Sequence, residues 1–319
     1  MTDSSRIAFL FPGQGSQVVG MGKELADNYA VARQTFEEAD ETLGYKLSKL
    51  CFEGPEEELK LTENTQPAIL TASIAAWRVL REKGLQANFV AGHSLGEYSA
   101  HVAAGTLTMA DAVRTVRNRG KYMQEAVPVG VGAMAAILGM PIEKVSEIAA
   151  AAAQGEVCQA ANINSPEQIV ISGHAAAVER AIKLATERRA KKAVSLPVSA
   201  PFHCSLMQPA QDRLAQDFGA LSFQNPSSLC PVVCNVDAAL VTSAEAAREA
   251  LIRQVTGTVR WEPSVRLLID AGVSLFIEVG PGKVLWGLMR QIDRSKACAA
   301  VGDEASLQKA LTQIAAWAA

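Results

Sequence analysis

The chain has 319 residues, 49% of them hydrophobic and 20% charged, a globular balance that excludes a disordered polymer. At roughly 150 residues per domain this length points to about two domains, and such a chain buries roughly three-quarters of its extended surface without cross-links. Thirty Lys and Arg against 33 Asp and Glu leave a net charge of -3. That excludes a surface coated in positive charge for nucleic acid, so partners must be recognised at local sites.

The longest uncharged stretch worth testing as a membrane span, residues 127–142, is broken by Pro128, Pro141 and several glycines. It falls short of the ~20 apolar residues of a membrane span, so no membrane association is expected. The start of the chain leads into an apolar run of five residues that ends at Pro12, without the core of a secretory leader. Cys51, Cys158, Cys204, Cys230, Cys234 and Cys298 form no C-x-x-C, and the one close pair, Cys230 and Cys234, has no histidine beside it. The pattern argues against a metal site and for reduced, buried thiols in a cytoplasmic protein.

Residues 7–11 are a short continuous apolar run closed by Pro12-Gly13, as in a parallel strand buried on both faces. Helices are predicted over about 29–43 and 66–83, each with a glycine just past its end, Gly44 and Gly84. Residues 89–92 read as a second strand, running into His93-Ser94-Leu95-Gly96-Glu97. Thr108 with Asp111 forms a capping box for a helix that reaches about residue 126.

The glycine-rich stretch 127–132 reads as a hinge. Beyond it the pattern gives strand 133–138, a helix from Pro141 to about 154, strands 157–162 and 168–172, helix 175–188 and strand 193–198. This βαββαβ order is ferredoxin-like. After Pro201-Phe202-His203 the α/β alternation resumes, with a helix at about 206–218, a strand at 231–236, helices at 243–255 and 262–271, and strand 275–279 ending in Gly280-Pro281-Gly282. The expected architecture is an α/β domain with a parallel sheet, formed by 1–127 and 204–319, carrying a small inserted subdomain at 128–203.

Gly92-His93-Ser94-Leu95-Gly96 matches G-x-S-x-G between a strand and a helix. A strand turning sharply into a helix pushes the serine hydroxyl out at the tip, and the helix start aims free N–H groups at any oxyanion formed there. A serine nucleophile needs a base. His93 adjoins Ser94 and should diverge from it, His101 falls on the following helix in a packing or surface role, and His174 begins a helix of the insert. His203 lies where the chain returns from the insert, able to face a cleft between the two bodies, and is the favoured base. No Asp or Glu between Ser94 and His203 stands at a convincing strand end, which speaks against a standard esterase. A backbone carbonyl or amide could hold the imidazole instead.

The loop Pro12-Gly13-Gln14-Gly15 fails as a dinucleotide fingerprint, because Val18 stands where the third glycine belongs. It reads either as an oxyanion loop at the same sheet edge as Ser94 or as a plain strand-to-helix turn. On the helix centred on Val116, Arg119 falls on the edge of the buried stripe, about 60° from its centre, whereas Arg114 and Lys121 point away. A buried guanidinium needs an anion, supplied either by a protein carboxylate or by a substrate with a free carboxylate held bidentately. The basic run from Arg188 to Lys192 is a solvated helix end or a docking patch for an acidic carrier.

Phe11-Pro-Gly-Gln14-Gly-Ser-Gln17, Gly92-His-Ser94-Leu-Gly-Glu97, Arg119-Gly-Lys-Tyr-Met-Gln124, Pro201-Phe-His203-Cys204, Arg253-Gln254 and Glu278-Val-Gly-Pro-Gly282 together resemble the malonyl-CoA:acyl-carrier-protein transacylases. This is the acyltransferase family of fatty-acid and polyketide synthesis, and the resemblance runs from about residue 7 to 287. It implies an α/β-hydrolase-like core with a ferredoxin-like insert. It also implies that Ser94 is acylated, that His203 serves as base and then acid, and that Arg119 grips the malonyl carboxylate. Backbone N–H groups of Gln14 and Leu95 would form the oxyanion hole, and the carbonyl of Gln254 would orient the histidine. Phe202 favours malonyl over methylmalonyl.

The implied reaction is ping-pong transfer of malonyl from malonyl-CoA to the phosphopantetheine thiol of acyl carrier protein, in fatty-acid biosynthesis. The coenzyme A thioester and the carrier phosphopantetheine are substrates, with no cofactor, no metal, no nucleic acid and no membrane, and a monomer is the simplest state. The rival readings are a serine thioesterase or esterase with the same elbow and a non-catalytic carrier-binding module.

Overall fold

The computed structural model describes residues 6–318; residues 1–5, which head the segment read for a leader, lie outside them. Ten strands form two sheets. In chain order they are β1 (Arg6–Phe11), β2 (Phe89–Gly92), β3 (Gly132–Leu138), β4 (Cys158–Ser165), β5 (Gln168–His174), β6 (Lys192–Ser195), β7 (Val232–Cys234), β8 (Ala239–Val241), β9 (Val273–Val279) and β10 (Ala297–Val301).

The larger sheet has the order β10-β9-β1-β2-β7-β8. Every pair in it is parallel except the antiparallel edge β7–β8. Its central strand is buried on both faces, as an uninterrupted apolar run requires. Phe9 and Phe11 project into a core shared with Phe36 and Ile69. Ala8 and Leu10, pointing the other way, pack with Trp261, Val265 and Leu288. Sequence order reverses at β1, with β2 on one side and β9 on the other. The loops leaving the carboxyl ends of these three strands therefore flank the crevice where open α/β sheets take ligands.

The smaller sheet, β4-β5-β3-β6, is antiparallel throughout. Helices Ile142–Ala153 and Ala175–Glu187 bury Val145, Ile148, Val178 and Ala181 against Ile137, Ile169 and Ile171 on one face. Met134 and Val170 belong instead to the main core, so the other face of this sheet closes over the crevice. The small sheet is tied to the larger body at Val259, in the segment before the helix Trp261–Asp270: the Val259 N–H donates to Ala161 O (2.8 Å) while its carbonyl accepts from Ile163 N–H (2.9 Å).

Several elements differ from the sequence reading. The helix expected from residue 66 is Thr62–Glu82, with Pro67 inside it. Asn64 and Thr65 N–H groups already bond Leu61 O, at 2.8 Å each, so the proline removes one donor from a helix begun upstream. Gly120 accounts for the close approach of the neighbouring helix Met109–Glu125, since any Cβ there would press on the Thr62 carbonyl. The edge strands β8 and β10 and the final helix Glu304–Ala318 were not anticipated. Among the described residues no helix is long and apolar enough to cross a membrane.

Candidate active site

The turn from β2 into the helix Gly96–Ala103 is held by two close backbone approaches. A Cβ on Gly92 would overlap the Gly96 carbonyl, and a Cβ on Gly96 would overlap the Phe11 carbonyl of the next strand. Ser94 between them has a left-handed backbone, φ 51°, a conformation that costs a non-glycine residue about 1–3 kcal/mol and persists only when its surroundings hold it. Asn235, just past β7, supplies that hold. Its Oδ1 accepts from Ser94 N–H at 2.7 Å, and its Nδ2 donates to Gly92 O at 2.7 Å.

The structure brings Ser94, His203, Arg119 and Gln254 together. Ser94 Oγ lies 2.7 Å from His203 Nε2, and His203 Nδ1 lies 2.9 Å from the Gln254 carbonyl oxygen. A carbonyl only accepts, so Nδ1 carries the proton and Nε2 presents its lone pair to the serine hydroxyl. Gln254 directly follows the helix Ala244–Arg253, where unpaired carbonyls and the negative end of the helix dipole face an imidazole. Burial, and after it the Arg119 guanidinium, push His203 down to about 3. The resting imidazole is therefore neutral at physiological pH.

Arg119 is 2% exposed. Its Nη1 donates to Gln66 Oε1 (2.7 Å), and its Nη2 donates to Gln254 Oε1 (2.9 Å) and Ser94 Oγ (3.0 Å). The guanidinium carbon sits 5.5 Å from the centre of the Tyr98 ring, a favourable placement for a cation. No ion pair to Arg119 occurs among the described residues, and its Nε has no partner. Of the two anions left open above, no protein carboxylate among the described residues bonds Arg119, and Glu97 acts on it only through space.

Gln14 and Leu95 both line a cleft of about 500 Å³ that also takes in Ser94, Arg119, His203, Met134 and Phe202. The loop carrying Gln14 is pressed on the elbow, because a Cβ on Gly13 would overlap the His93 carbonyl. Among the described residues the Gln14 and Leu95 amides donate to no protein acceptor, so both are free to serve an incoming oxygen.

The remaining histidines stand apart. His93 turns away to Asn164 Oδ1 of the small sheet, 2.8 Å from Nε2. His101 is buried with neither ring nitrogen partnered. His174 accepts from Val157 N–H at 2.9 Å. In the basic run, Lys191 pairs with Glu167 at 2.8 Å and Arg188 approaches Glu147 at 3.9 Å on an exposed helix end. Among the described residues no cluster of His, Cys, Asp or Glu is placed to hold a metal ion.

Sequence reasoning passed over Asn235, Gln66, Asn164 and the inward role of Glu97. Asn235 carried one usable signal, its place at the carboxyl end of a strand neighbouring the nucleophile's own.

The acyl transferase domain family matches residues 8–315. The malonyl CoA-acyl carrier protein transacylase of Bacillus subtilis (strain 168) is 51% identical over 308 residues, 96% of each chain. The crystal structure of an acyl carrier protein S-malonyltransferase from Vibrio cholerae O1 biovar eltor matches with a TM-score of 0.93 at 50% identity, covering 96% of this chain and 100% of that one. A malonyl-transacylase solved in complex with a type II PKS acyl-carrier protein gives a TM-score of 0.94 at 48% identity, with 97% and 100% covered. With the match running through both sheets and almost end to end, the chain belongs to the acyl transferase domain family and is an acyltransferase.

Proposed function

We propose that the protein transfers malonyl from malonyl-CoA to the phosphopantetheine thiol of an acyl carrier protein, for fatty-acid synthesis, through a malonyl ester on Ser94. The names of the relatives support the substrates, and the three-way contact at Ser94 Oγ, 2.7 Å to His203 and 3.0 Å to Arg119, carries the reading. In the first half-reaction the malonyl carboxylate pairs with Arg119 in place of the missing protein anion. Ser94 Oγ attacks the thioester carbon as its proton passes to His203 Nε2. The Gln14 and Leu95 amides hold the tetrahedral oxyanion. The C–S bond then breaks, and His203 returns the proton to the departing coenzyme A sulfur.

The second half runs the same steps with the carrier thiol. His203 takes the thiol proton, sulfur attacks the ester carbon, and the C–O bond breaks as the proton goes back to Ser94. The coenzyme A thioester and the carrier are both substrates, and the scheme calls for no further group. Residues 128–203 act as a subdomain whose inner face shields the ester from water.

Intact-mass analysis after mixing with malonyl-CoA tests the reading. One malonyl unit should appear on the protein, vanish on addition of carrier, and be absent in Ser94→Ala. Rapid release of free malonate with or without carrier would make the protein a thioesterase instead.

A further inference from the structure

One buried carboxyl has no part in that scheme. Glu97, in the first turn after the nucleophile, is 0% exposed. Its Oε2 accepts from Gln254 Nε2 at 2.7 Å and from Asn235 N–H at 3.1 Å. Its Oε1 has no hydrogen-bond partner, and His101 Nε2 stands 3.9 Å from it. A carboxyl is costly to bury, and this one touches neither the reacting hydroxyl nor the cleft.

The two residues it joins grip the nucleophile from both sides. Asn235 Oδ1 takes the Ser94 N–H, and Gln254 Nε2 donates to the Ser94 carbonyl at 2.8 Å. Gln254 also accepts from Arg119 through Oε1 and from His203 through its main chain. The Gln254 amide has two N–H bonds to place, and Ser94 O uses one of them. Glu97 Oε2 takes the other, which commits the amide oxygen to Arg119, since the reverse orientation would set NH2 against NH2. The neutral amide also stands between Glu97 and Arg119, so the cation stays unpaired and available.

We propose that Glu97 is a positioning residue: its carboxyl clamps Asn235 to Gln254, and through them it holds the strained Ser94 backbone and aims the Arg119 guanidinium at the substrate carboxylate. The inference rests on the malonyl-transfer reading.

The test compares acylation of the folded protein by malonyl-CoA and acetyl-CoA in Glu97→Leu, Glu97→Gln and Glu97→Asp, with thermal unfolding as a parallel measure. Leucine offers no acceptor, so the malonyl rate should fall about 10²-fold, the scale expected for a reacting group misplaced by an ångström, and acetyl should fall less. Glutamine keeps an acceptor toward Gln254 and Asn235 and can turn its NH2 to His101, so it should stay within about threefold of wild type. Aspartate keeps the carboxyl but withdraws its oxygen by one methylene, and should lose about tenfold or more; it carries the test if leucine fails to fold. A purely structural role would lower the unfolding temperature and leave the acylation rate of folded protein unmoved. Wild-type rates in the leucine or aspartate variant, equal malonyl and acetyl losses, or a glutamine variant as poor as leucine would overturn the proposal. A wild-type protein that forms no malonyl adduct would instead remove the functional reading beneath it.

Discussion

Arg119 donates a 3.0 Å hydrogen bond to Ser94 Oγ, so a buried cation with no anion of its own touches the hydroxyl at the tip of the elbow. The serine oxygen accepts from the guanidinium and donates to His203 Nε2, which eases its loss of a proton. The same guanidinium is the buried cation of the cleft that a substrate carboxylate would meet beside the reacting hydroxyl; the other lining cation, Lys60, is exposed and paired with Glu56.

Arg119→Ala should therefore cost malonyl transfer about 3 kcal/mol, close to 10²-fold in kcat/KM, the size of lost charge-assisted hydrogen bonds. Acetyl transfer, with no carboxylate to hold, should change by much less. Parallel kcat/KM measurements on the two thioesters check this. Equal losses would make the arginine a support for the elbow only.

The depressed His203 imidazole sets the pH dependence of acylation. Its value of about 3 in the free protein comes from burial first and Arg119 second, so the base stays unprotonated far below the ordinary 6.5. The acid limb of kcat/KM, which reports free enzyme, should lie well below pH 6. A bound malonyl carboxylate cancels the charge of Arg119 and relieves its repulsion of the imidazolium, so the limb of kcat should sit higher. With acetyl-CoA no such offset between the two limbs is expected.

Stability should follow a different pH curve. His203 and His101 are both pushed by burial to about 3, whereas burial raises Glu97 and Glu278 to about 7. Burial lowers His93 as well, so between roughly pH 4.5 and 6.5 the unfolded chain binds the extra protons of three histidines and the folded chain those of two glutamates, and these effects oppose each other in part. Below about 4.5 only the histidine contribution remains: the unfolded state holds the extra protons, and stability falls as pH falls. Asp237, lowered by its hydrogen bond to Arg253, acts in the same direction. The unfolding temperature should fall gently from pH 6.5 to 4.5 and more steeply below it. His101→Leu, which also removes two unpartnered ring nitrogens, should take about 1.4 kcal/mol per pH unit off that acid slope. Urea titrations at pH 3.5, 4 and 4.5 measure it.

The parts of this site that were legible in the sequence are those tied to a local pattern. The elbow is written in the spacing of Gly92, Ser94 and Gly96, the two glycines each small for a contact that can be identified. Arg119 stood out because helical periodicity turned it inward; it is buried, while Arg114 and Lys121 are exposed. The small sheet was readable because each strand alternates or ends at a turn residue. The pieces that escaped depend on long-range pairing. Asn235 meets Ser94 across 141 positions, and its place at a strand end does not by itself reveal which distant backbone it bonds. Strand β10, Ala-Cys-Ala-Ala-Val, has a helix-forming composition and is a strand only because β9 offers it a parallel edge.

Asn235 gives the sharpest test of how the nucleophile is held. It satisfies the Ser94 N–H and the buried carbonyl of Gly92, two backbone groups of the turn leading into a serine with left-handed backbone. Asn235→Ala leaves both unpaired, at a cost of about 1–3 kcal/mol each, and removes the contact that keeps Ser94 in its strained state. Unfolding free energy should drop by about 2–6 kcal/mol, and acylation of the protein that remains folded should slow by about tenfold or more as the hydroxyl drifts from His203 Nε2. Asn235→Asp keeps the acceptor for Ser94 N–H and loses the donor to Gly92 O, so it should separate the two effects, restoring more of the rate than of the stability. Stopped-flow acylation paired with denaturant melts reads both, and an alanine variant that acylates at the wild-type rate would show that the glycine contacts and the Gln254 bond to Ser94 O hold the serine without Asn235.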